Sequence, residues 1–535
     1  MTNNMNYMLK AKSNFSYLIE EYPLTVVMTV AIALRVIAIF FSKGYIYTDD
    51  HFETVSVAYH WLQYGLWSPE GFLTWGGRTD PNTIARCPLY TLFLYGIMKV
   101  QLIFGVNSLD HLMYSIRAVH GLLSLISVYA IFKIVALVTS SKKWAVIGGL
   151  MLAAHFAVPT LSVRTLIEFV CSHFWLFALY LIYRYDNERS SRYLYILFWA
   201  GILSGLSWMI RFQIVFAVIT VPVIFLWQYR RIREALWYSA GALTMVAIAG
   251  LLDYAVLGSF LSSTLQYLGM AIDKPVAVVK EPVWVYVAVL ASLFIPPLSV
   301  VVFSMAGFKR FWERHRVLVF SSLVFILVHT AINNRQERFM MPIIPALMLI
   351  MVLVIWQQFY NNGYLSRHRK LFNSMAAFSV CLNLILLPIF TTFYGTKGMV
   401  EPQVLVERFS GKASIMFVSP EKKRVLYPND YGGFGGFDRT YLNKWDNLKR
   451  YQSTWESRES FEYYVLYPND ADDLSRYVDS LEKYIGSMEK LYYVGPSTID
   501  MILHILNPRH NPRDDAWVYR LVEKGDDLSN RIRQP

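Results

Sequence analysis

Residues 23–41 read PLTVVMTVAIALRVIAIFF, an unbroken apolar run from Pro23 to Phe41. A helix crossing a bilayer needs about 20 such residues to span roughly 30 Å of hydrocarbon, because its backbone polar groups must bond internally. One run of this kind could be a buried core helix. Here the pattern returns at Val283–Met305 and Met341–Trp356 and recurs up to Phe393, and a soluble core has no room for so many. Hydrophobic residues make up 55% of the 535 and charged residues 16%, short of the roughly one quarter usual in a soluble chain. From Lys397 onward the composition is that of ordinary soluble protein. The sequence therefore predicts an all-α polytopic membrane protein with about eleven transmembrane helices over 1–396, including a first outer loop at 43–87, and a small α/β domain over 397–535.

The candidate spans are 22–42, 88–105, 112–137, 144–161, 165–183, 193–209, 211–228, 236–257, 283–305, 317–333, 341–359 and 373–393. One of 88–105, 112–137, 144–161 or 165–183 is expected not to cross, because the basic clusters and an inside N-terminus otherwise give opposite parities. Those clusters are Lys142-Lys143, Arg184 with Arg189 and Arg192, Arg230-Arg231 with Arg233, Lys309-Arg310 with Arg314 and Arg316, and Arg367 with Arg369 and Lys370. Short basic loops of this kind mark the cytoplasmic side. The net charge of +12 is thus a topology signal, and no nucleic-acid partner is expected.

The remaining ionisable residues fall on the other, outer face: Asp49, Asp50 and Glu53; Arg86; Arg164 and Glu168; Arg211; Glu337 with Arg338. Charge near hydrocarbon is costly unless it faces protein or water, so it marks a working cavity. The active site and the C-terminal domain are both expected outside the cytoplasm, with a bacterial inner membrane as the expected location.

Cys87, Cys171 and Cys381 are scattered through the membrane region and offer neither a disulfide framework nor a thiolate metal site. Lys10 and Lys12 precede the first apolar run, but no small-residue cleavage pattern follows it; it is expected to be a retained helix. In the first outer loop Phe52, Val55, Tyr59 and Leu62 recur at spacings of three and four, and Trp61, Trp67 and Trp75 suit an interface. A helix lying on the membrane surface and starting at the acidic pair is expected.

In the C-terminal domain, strands are expected at Ile415–Phe417, Tyr463–Leu466 and Leu491–Val494, with helices near Asp472–Tyr484 and Ser497–Ile505. The glycine-rich stretch Tyr431–Phe437 lacks the strand–turn–helix setting of a phosphate cradle and is read as a loop. The similar VLYPND runs at Val425–Asp430 and Val465–Asp470 are read as a small repeat or a coincidence.

For chemistry, Asp49 and Asp50 stand where the chain leaves the first span, in YTDDHFE. A carboxylate there can deprotonate an acceptor hydroxyl if it comes within about 3 Å. Helix capping is the competing reading, since Asp at a helix start accepts free backbone N–H groups. Arg338 lies in NNRQERFMMPIIP with Arg335 and Glu337, and Arg211 in SWMIRFQ; a planar guanidinium holds phosphate bidentately, with an interfacial anchor as the alternative. Arg164 precedes Glu168 by four residues, which also reads as a simple helical ion pair. His51, His60 and His173 have no metal-ligand spacing.

YTDDHFE, WLQYG, LTW, IARCPLY, RTLIE, GLSWMIRFQ and RQERFMMPIIP, in that order over residues 20–360, resemble the signatures of the glycosyltransferase family 22 mannosyltransferases, which belong to the C-type superfamily. The resemblance implies an inverting transferase. It would move a sugar, mannose in this family, from a polyprenyl- or dolichyl-phosphate donor to a hydroxyl of a lipid-linked or cell-envelope glycan acceptor. The family's acidic pair falls on Asp49 and Asp50, and its His-Lys-Glu-x-Arg-Phe motif on Asn334 through Phe339. Asn334 stands where the family has histidine, Gln336 where it has glutamate, and Gly76 where it has an acid after Thr-Trp. The related aminoarabinose and protein mannosyltransferase branches, which often carry an outer domain, remain rivals.

On this reading Asp50 or Asp49 is the base. Arg338, Arg211 and Arg86 bind the donor phosphate, and Glu53, Arg164, Glu168, Arg335, Glu337 and Trp75 bind substrate. A divalent cation, Mg or Mn, bridging Asp49 or Asp50 to phosphate is left open as a cofactor. A polytopic lipid or sugar transporter is the alternative from another class, although no repeated half of the kind common in transporters is visible.

Overall fold

The computed structural model describes residues 17–47, 50–66, 86–106, 108–273, 282–306, 309–332, 334–410, 414–420, 439–442, 445, 461–506, 508, 513 and 515–522. Thr48, Asp49, Trp75, Gly76 and the glycine-rich stretch Tyr431–Phe437 lie outside them, as does the first VLYPND run. The chain divides into two compact units.

The first unit comprises residues 1–42, 53–97 and 116–392, and the regular elements among its described residues are helices. Among the described residues of the chain, six helices are long and apolar enough to cross a bilayer: Pro23–Phe41, Asp110–Thr139, Ile167–Glu188, Ile232–Leu257, Glu337–Tyr360 and Arg369–Thr391. A seventh span results if the pair Val285–Leu293 and Leu298–Met305, bent by 114°, is one element. This is a multi-pass membrane protein.

The expected count of about eleven is therefore too high. Apolar run length overcounted because the runs break. The run at 88–105 forms a helix of 16 residues, Pro88–Ile103, and that at 144–161 a helix of only 12, Lys142–Ala153. At about 1.5 Å per residue a helix of that length falls well short of the hydrocarbon. Leu194–Ile210, Phe212–Gln228 and Arg316–Ala331 are likewise apolar but short. Arg211 separates the first two with an extended backbone, φ −141° and ψ 106°. Pro296 and Pro297, without N–H groups, stand at the sharp bend between Leu293 and Leu298 and cannot continue a helical ladder.

Close backbone approach organises part of this unit. Leu194–Ile210 carries Gly201 and Gly205 at GxxxG spacing and packs on Ile232–Leu257. A methyl on Gly201 would stand 2.0 Å from the Tyr238 carbonyl oxygen, and one on Gly241 2.0 Å from that of Phe198. Small residues let membrane helices meet backbone to backbone where no hydrophobic drive brings them together.

The segment expected on the membrane surface is a π-helical turn, His51–Ser56, running into Val57–Tyr64. Val57 through Trp61 are all buried, so the helix is enclosed by protein instead of lying with one face in lipid. Val57 and Trp61 pack with Leu92, Tyr95, Val256 and Leu257.

The second unit comprises residues 43–52, 98–115 and 393–535. Among its described residues are five strands, β1 Ile415–Val418, β2 Arg439–Leu442, β3 Tyr463–Leu466, β4 Met488–Val494 and β5 Ala516–Leu521, in the order β2-β1-β3-β5-β4. β1 pairs in parallel with β2 and β3, while β5 runs antiparallel to β3 and β4. Both central strands β1 and β3 are buried along their whole length. Ile415, Phe417 and Val465 join Met399 and Val406 of the helix Lys397–Ser410. Met416, Val418 and Leu466 join Tyr477 and Leu481 of Ala471–Ile485. A sheet covered on both faces reads as a continuous apolar run, not an alternating one. Ala471–Ile485 starts at Asp470, whose Oδ1 accepts from the Asp473 N–H at 2.8 Å, an N-cap.

Candidate active site

Three charged residues far apart in sequence meet inside the membrane unit, each at a break in helical structure. Glu168 sits in the first turn of Ile167–Glu188, just past the non-helical link 163–166. Arg211 is the extended residue between two helices. Arg338 lies in the 3-10 turn Glu337–Ile343 that leads into Ile344–Tyr360. Breaks of this kind let polar groups sit at membrane depth when they are enclosed by protein.

Glu168 is fully buried, and Arg211 and Arg338 are 8% and 7% exposed. One Glu168 oxygen, Oε1, lies 3.0 Å from Arg211 Nη2 and 3.8 Å from Arg338 Nε. Each arginine also donates through Nε to a glutamine two residues away: Arg211 to Gln213 at 3.1 Å and Arg338 to Gln336 at 2.8 Å. Both guanidinium carbons stand over the Phe339 ring, 5.4 and 5.6 Å from its centroid. Cation–π contact of this kind strengthens as the ions lose water.

Two guanidiniums share one carboxylate here, so these three residues carry a net positive charge in a site sheltered from water. Electrostatic interactions weaken far less there than at a wet surface. The arrangement is suited to an anion with several oxygens, above all a phosphate, which the planar forks of arginine match.

The sequence reading singled out all three residues, and the structure gathers them. It also pairs Glu53 with Arg86, just before Pro88–Ile103. Arg164 is buried in the link before Ile167, so the helical four-residue geometry expected with Glu168 does not arise. Arg335 donates to the Thr330 carbonyl at 3.0 Å, and Glu337 is exposed. Asp50, in the second unit, is 1% exposed beside the buried His51, whose ring stacks on Tyr45 at 5.0 Å. Asp49 and Trp75 lie outside the described residues. No group of three His, Cys, Asp or Glu gathers for a metal among the described residues.

Gln213, Gln336 and Phe339 were missed as supports of the site. A signal was present: RFQ and QER are mirror-image spacings. Each Arg–Gln pair straddles the point where extended backbone, at Arg211 and at Gln336 (φ −129°, ψ 141°), gives way to a 3-10 turn. Arg35 was missed as well. It is buried inside the first span, where it donates to Ser124 Oγ at 3.2 Å, the Ala153 carbonyl at 2.6 Å and Ser162 Oγ at 3.2 Å. It thereby ties down the segment that leads into Arg164 and Glu168.

No curated protein sequence matches the chain. Among solved structures, the fold is similar to ArnT from Cupriavidus metallidurans bound to undecaprenyl phosphate, at 10% identity and a TM-score of 0.56 over 94% of this chain and 98% of that one. The same protein in the apo state gives 0.57 at 10% identity, over 96% and 98%. The Archaeoglobus fulgidus oligosaccharyltransferase in complex with Zn and sulfate gives 0.46 at 12% identity, over 87% of this chain and 70% of that one. The ArnT likeness speaks for the fold. Family comes from sequence: the profile of the Alg9-like mannosyltransferases matches residues 26–419, most of the chain. The chain belongs to the Alg9-like mannosyltransferase family, within the C-type superfamily of polyprenyl- or dolichyl-phosphate-dependent membrane glycosyltransferases.

Proposed function

We propose that this protein is an inverting mannosyltransferase that takes mannose from a polyprenyl-phosphate donor and delivers it to a hydroxyl of a lipid-linked or cell-envelope glycan. The observation that carries this reading is the buried pairing of Arg211 and Arg338 on the single carboxylate of Glu168. Two guanidinium groups converging at one buried point suit the oxygens of a phosphate.

In the proposed step the acceptor oxygen attacks the anomeric carbon from the side opposite the phosphate. The bond from that carbon to the phosphate oxygen breaks, and its electrons leave with the phosphate. The acceptor's proton passes to Asp50, with Asp49 beside it as the family's acidic pair. A leaving phosphate is a stable anion and needs no general acid. Arg211 and Arg338 stabilise its charge in preorganised form, with Arg86 as a third cation. Glu53, Arg164 and Arg335 serve substrate binding. Glu168 holds the arginines instead of the sugar. No step is routed through a divalent cation; turnover before and after chelation decides whether one bridges Asp50 to phosphate.

The test is to incubate the protein in lipid vesicles with a panel of polyprenyl-phosphate sugars and an acceptor glycolipid extract, reading products by mass. A mannosyl product with inverted linkage is expected. Asp50→Asn and Arg338→Met should each lower turnover by about 10²-fold or more without loss of folded protein. Transfer of another sugar overturns the donor assignment, and normal turnover in Asp50→Asn removes Asp50 as base. The basic loops support a cytoplasmic side opposite the C-terminal domain, in a bacterial inner membrane. A reporter fused after Pro535 should accordingly be active outside the cytoplasm.

A further inference from the structure

A buried polar atom beside the arginine pair takes no part in the proposed transfer. His329 lies in the last turn of Arg316–Ala331 and is 2% exposed. Its ring stands among three phenylalanines: stacked on Phe325 at 4.0 Å, edge-on to Phe216 at 5.9 Å and tilted against Phe339 at 6.4 Å. Phe216 belongs to the helix Val215–Val223 that follows the break at Arg211. Phe339 is the ring over which both guanidinium groups stand. Arg211, Arg338 and His329 are therefore grouped around one phenylalanine, and all of them belong to the first unit.

The hydrogen bond made by one ring nitrogen fixes the chemistry of the other. His329 Nδ1 lies 2.8 Å from the Phe325 carbonyl oxygen, one helical turn back. A carbonyl can only accept, so Nδ1 carries the hydrogen, and in the neutral ring Nε2 presents a bare lone pair. Nε2 is buried and has no hydrogen-bond partner among the described residues. A buried acceptor left unmatched is costly, and ionisable side chains inside a membrane protein mark functional sites by default.

The neighbours decide what would match it. Arg211 and Arg338 offer N–H donors and no acceptor, which suits phosphate oxygens. A phosphodiester has no hydrogen to give, so Nε2 has nothing to accept from the phosphate itself. The sugar joined to that phosphate differs, because each of its hydroxyls is an O–H donor. We propose that His329 is a sugar-recognition residue whose Nε2 accepts a hydrogen bond from one hydroxyl of the transferred sugar while Arg211 and Arg338 hold the phosphate. This rests on the phosphate reading of the arginine pair and deepens it, with donors for the phosphate and an acceptor for the sugar. A site built to bond a substrate hydroxyl rejects the analogue that lacks it, because its own buried group is then left unpaired.

The test uses the full-length protein in lipid vesicles with three kinds of ligand. These are polyprenyl phosphate, the polyprenyl-phosphate sugar that the parent binds most tightly, and the monodeoxy analogues of that sugar donor. Affinities are read from the ligand-dependent rise in Tm. His329→Phe keeps an aromatic ring without the lone pair, and His329→Gln returns an oxygen acceptor near the place of Nε2. On the parent, one deoxy analogue should bind about tenfold more weakly than the intact donor. On His329→Phe the intact donor should fall to the level of that analogue and the two should no longer differ, while polyprenyl phosphate binds as it does to the parent. His329→Gln should recover part of the difference. Equal binding of every analogue by the parent overturns the proposal without any variant, so it stays testable even where a substitution impairs folding. A His329→Phe protein that still discriminates, or that loses all ligands in equal measure, overturns it as well and assigns the ring to packing. A best donor other than the mannose one changes the donor assignment alone, since the deoxy series is then built on that sugar. A parent that binds no polyprenyl phosphate overturns the reading of the arginine pair and this inference with it.

Discussion

Glu168 concentrates the electrostatic problem of the membrane unit in one side chain. It is the carboxylate facing both Arg211 and Arg338, and breaking a buried pair costs about 3–5 kcal/mol because the partner's charge stays behind. Glu168→Gln removes charge at nearly constant volume, so the loss reads as electrostatics. Thermal unfolding in detergent should show a clear fall in Tm for this variant. If the arginines hold a donor phosphate, added polyprenyl phosphate should restore more of that loss in Glu168→Gln than it adds to the parent protein. An equal increment in both would separate the arginine cluster from phosphate binding. The charges at this site were legible in the sequence because charge in an apolar context is rare and therefore informative. Their supports were not: a glutamine or a phenylalanine at a membrane edge is unremarkable until the backbone turns it toward an arginine. Arg35 shows the same limit from the other side, since its acceptors are two serines and a carbonyl that no pattern links to it.

Among the elements, helix ends and helix contacts were the least legible features. Hydropathy reports that a stretch is apolar but not where its backbone bends, so Arg211 and the proline pair at 296 and 297 turned expected crossings into short or folded pieces. In the second unit β1, β3, β4 and the two helices between and beyond them fell close to their expected places, because apolar runs bounded by polar turns are distinctive. β2 and β5 carry arginine and aromatic residues, RTYL and AWVYRL, and gave no such run. The contact of Leu194–Ile210 with Ile232–Leu257 leads to a sharp expectation. Gly201→Leu places a branched side chain where even a methyl would stand 2.0 Å from a carbonyl oxygen. Overpacking of this kind typically costs about 1–3 kcal/mol, and backbone contact leaves little room to relax. Gly258→Ala, at a left-handed residue with open space around it, should cost less than Gly201→Leu when both are compared by Tm. A Gly201→Leu protein as stable as its parent would mean that these two helices do not pack as closely as described.

At the scale of the whole molecule, a bilayer removes the cue that tells inside from outside in a soluble protein. Glu337–Tyr360 has a mean hydropathy of 2.5 in its most apolar window, 89% of it buried within the protein, whereas Pro23–Phe41 has the same hydropathy with 22% buried. Lipid tails are as apolar as leucine, so membrane helices assemble by packing and not by escape from water. The order of helices around the centre was for that reason invisible in the composition. Every residue from Ile344 to Trp356 is buried, which makes this helix the packed centre of its unit. Arg369–Thr391, with 11% of its window buried, lies mostly uncovered by protein. Truncating the fully buried Leu349 to alanine should cost about 2–5 kcal/mol, since it opens a cavity in a close-packed interior. The same change at Leu384, 59% exposed on Arg369–Thr391, exchanges protein–lipid contact for lipid–lipid contact and should move Tm little. Measured side by side in one lipid, the two variants separate packing from hydrophobicity. Equal losses would mean that Leu384 is covered by something other than lipid, and equal silence would remove Glu337–Tyr360 from the centre of the bundle.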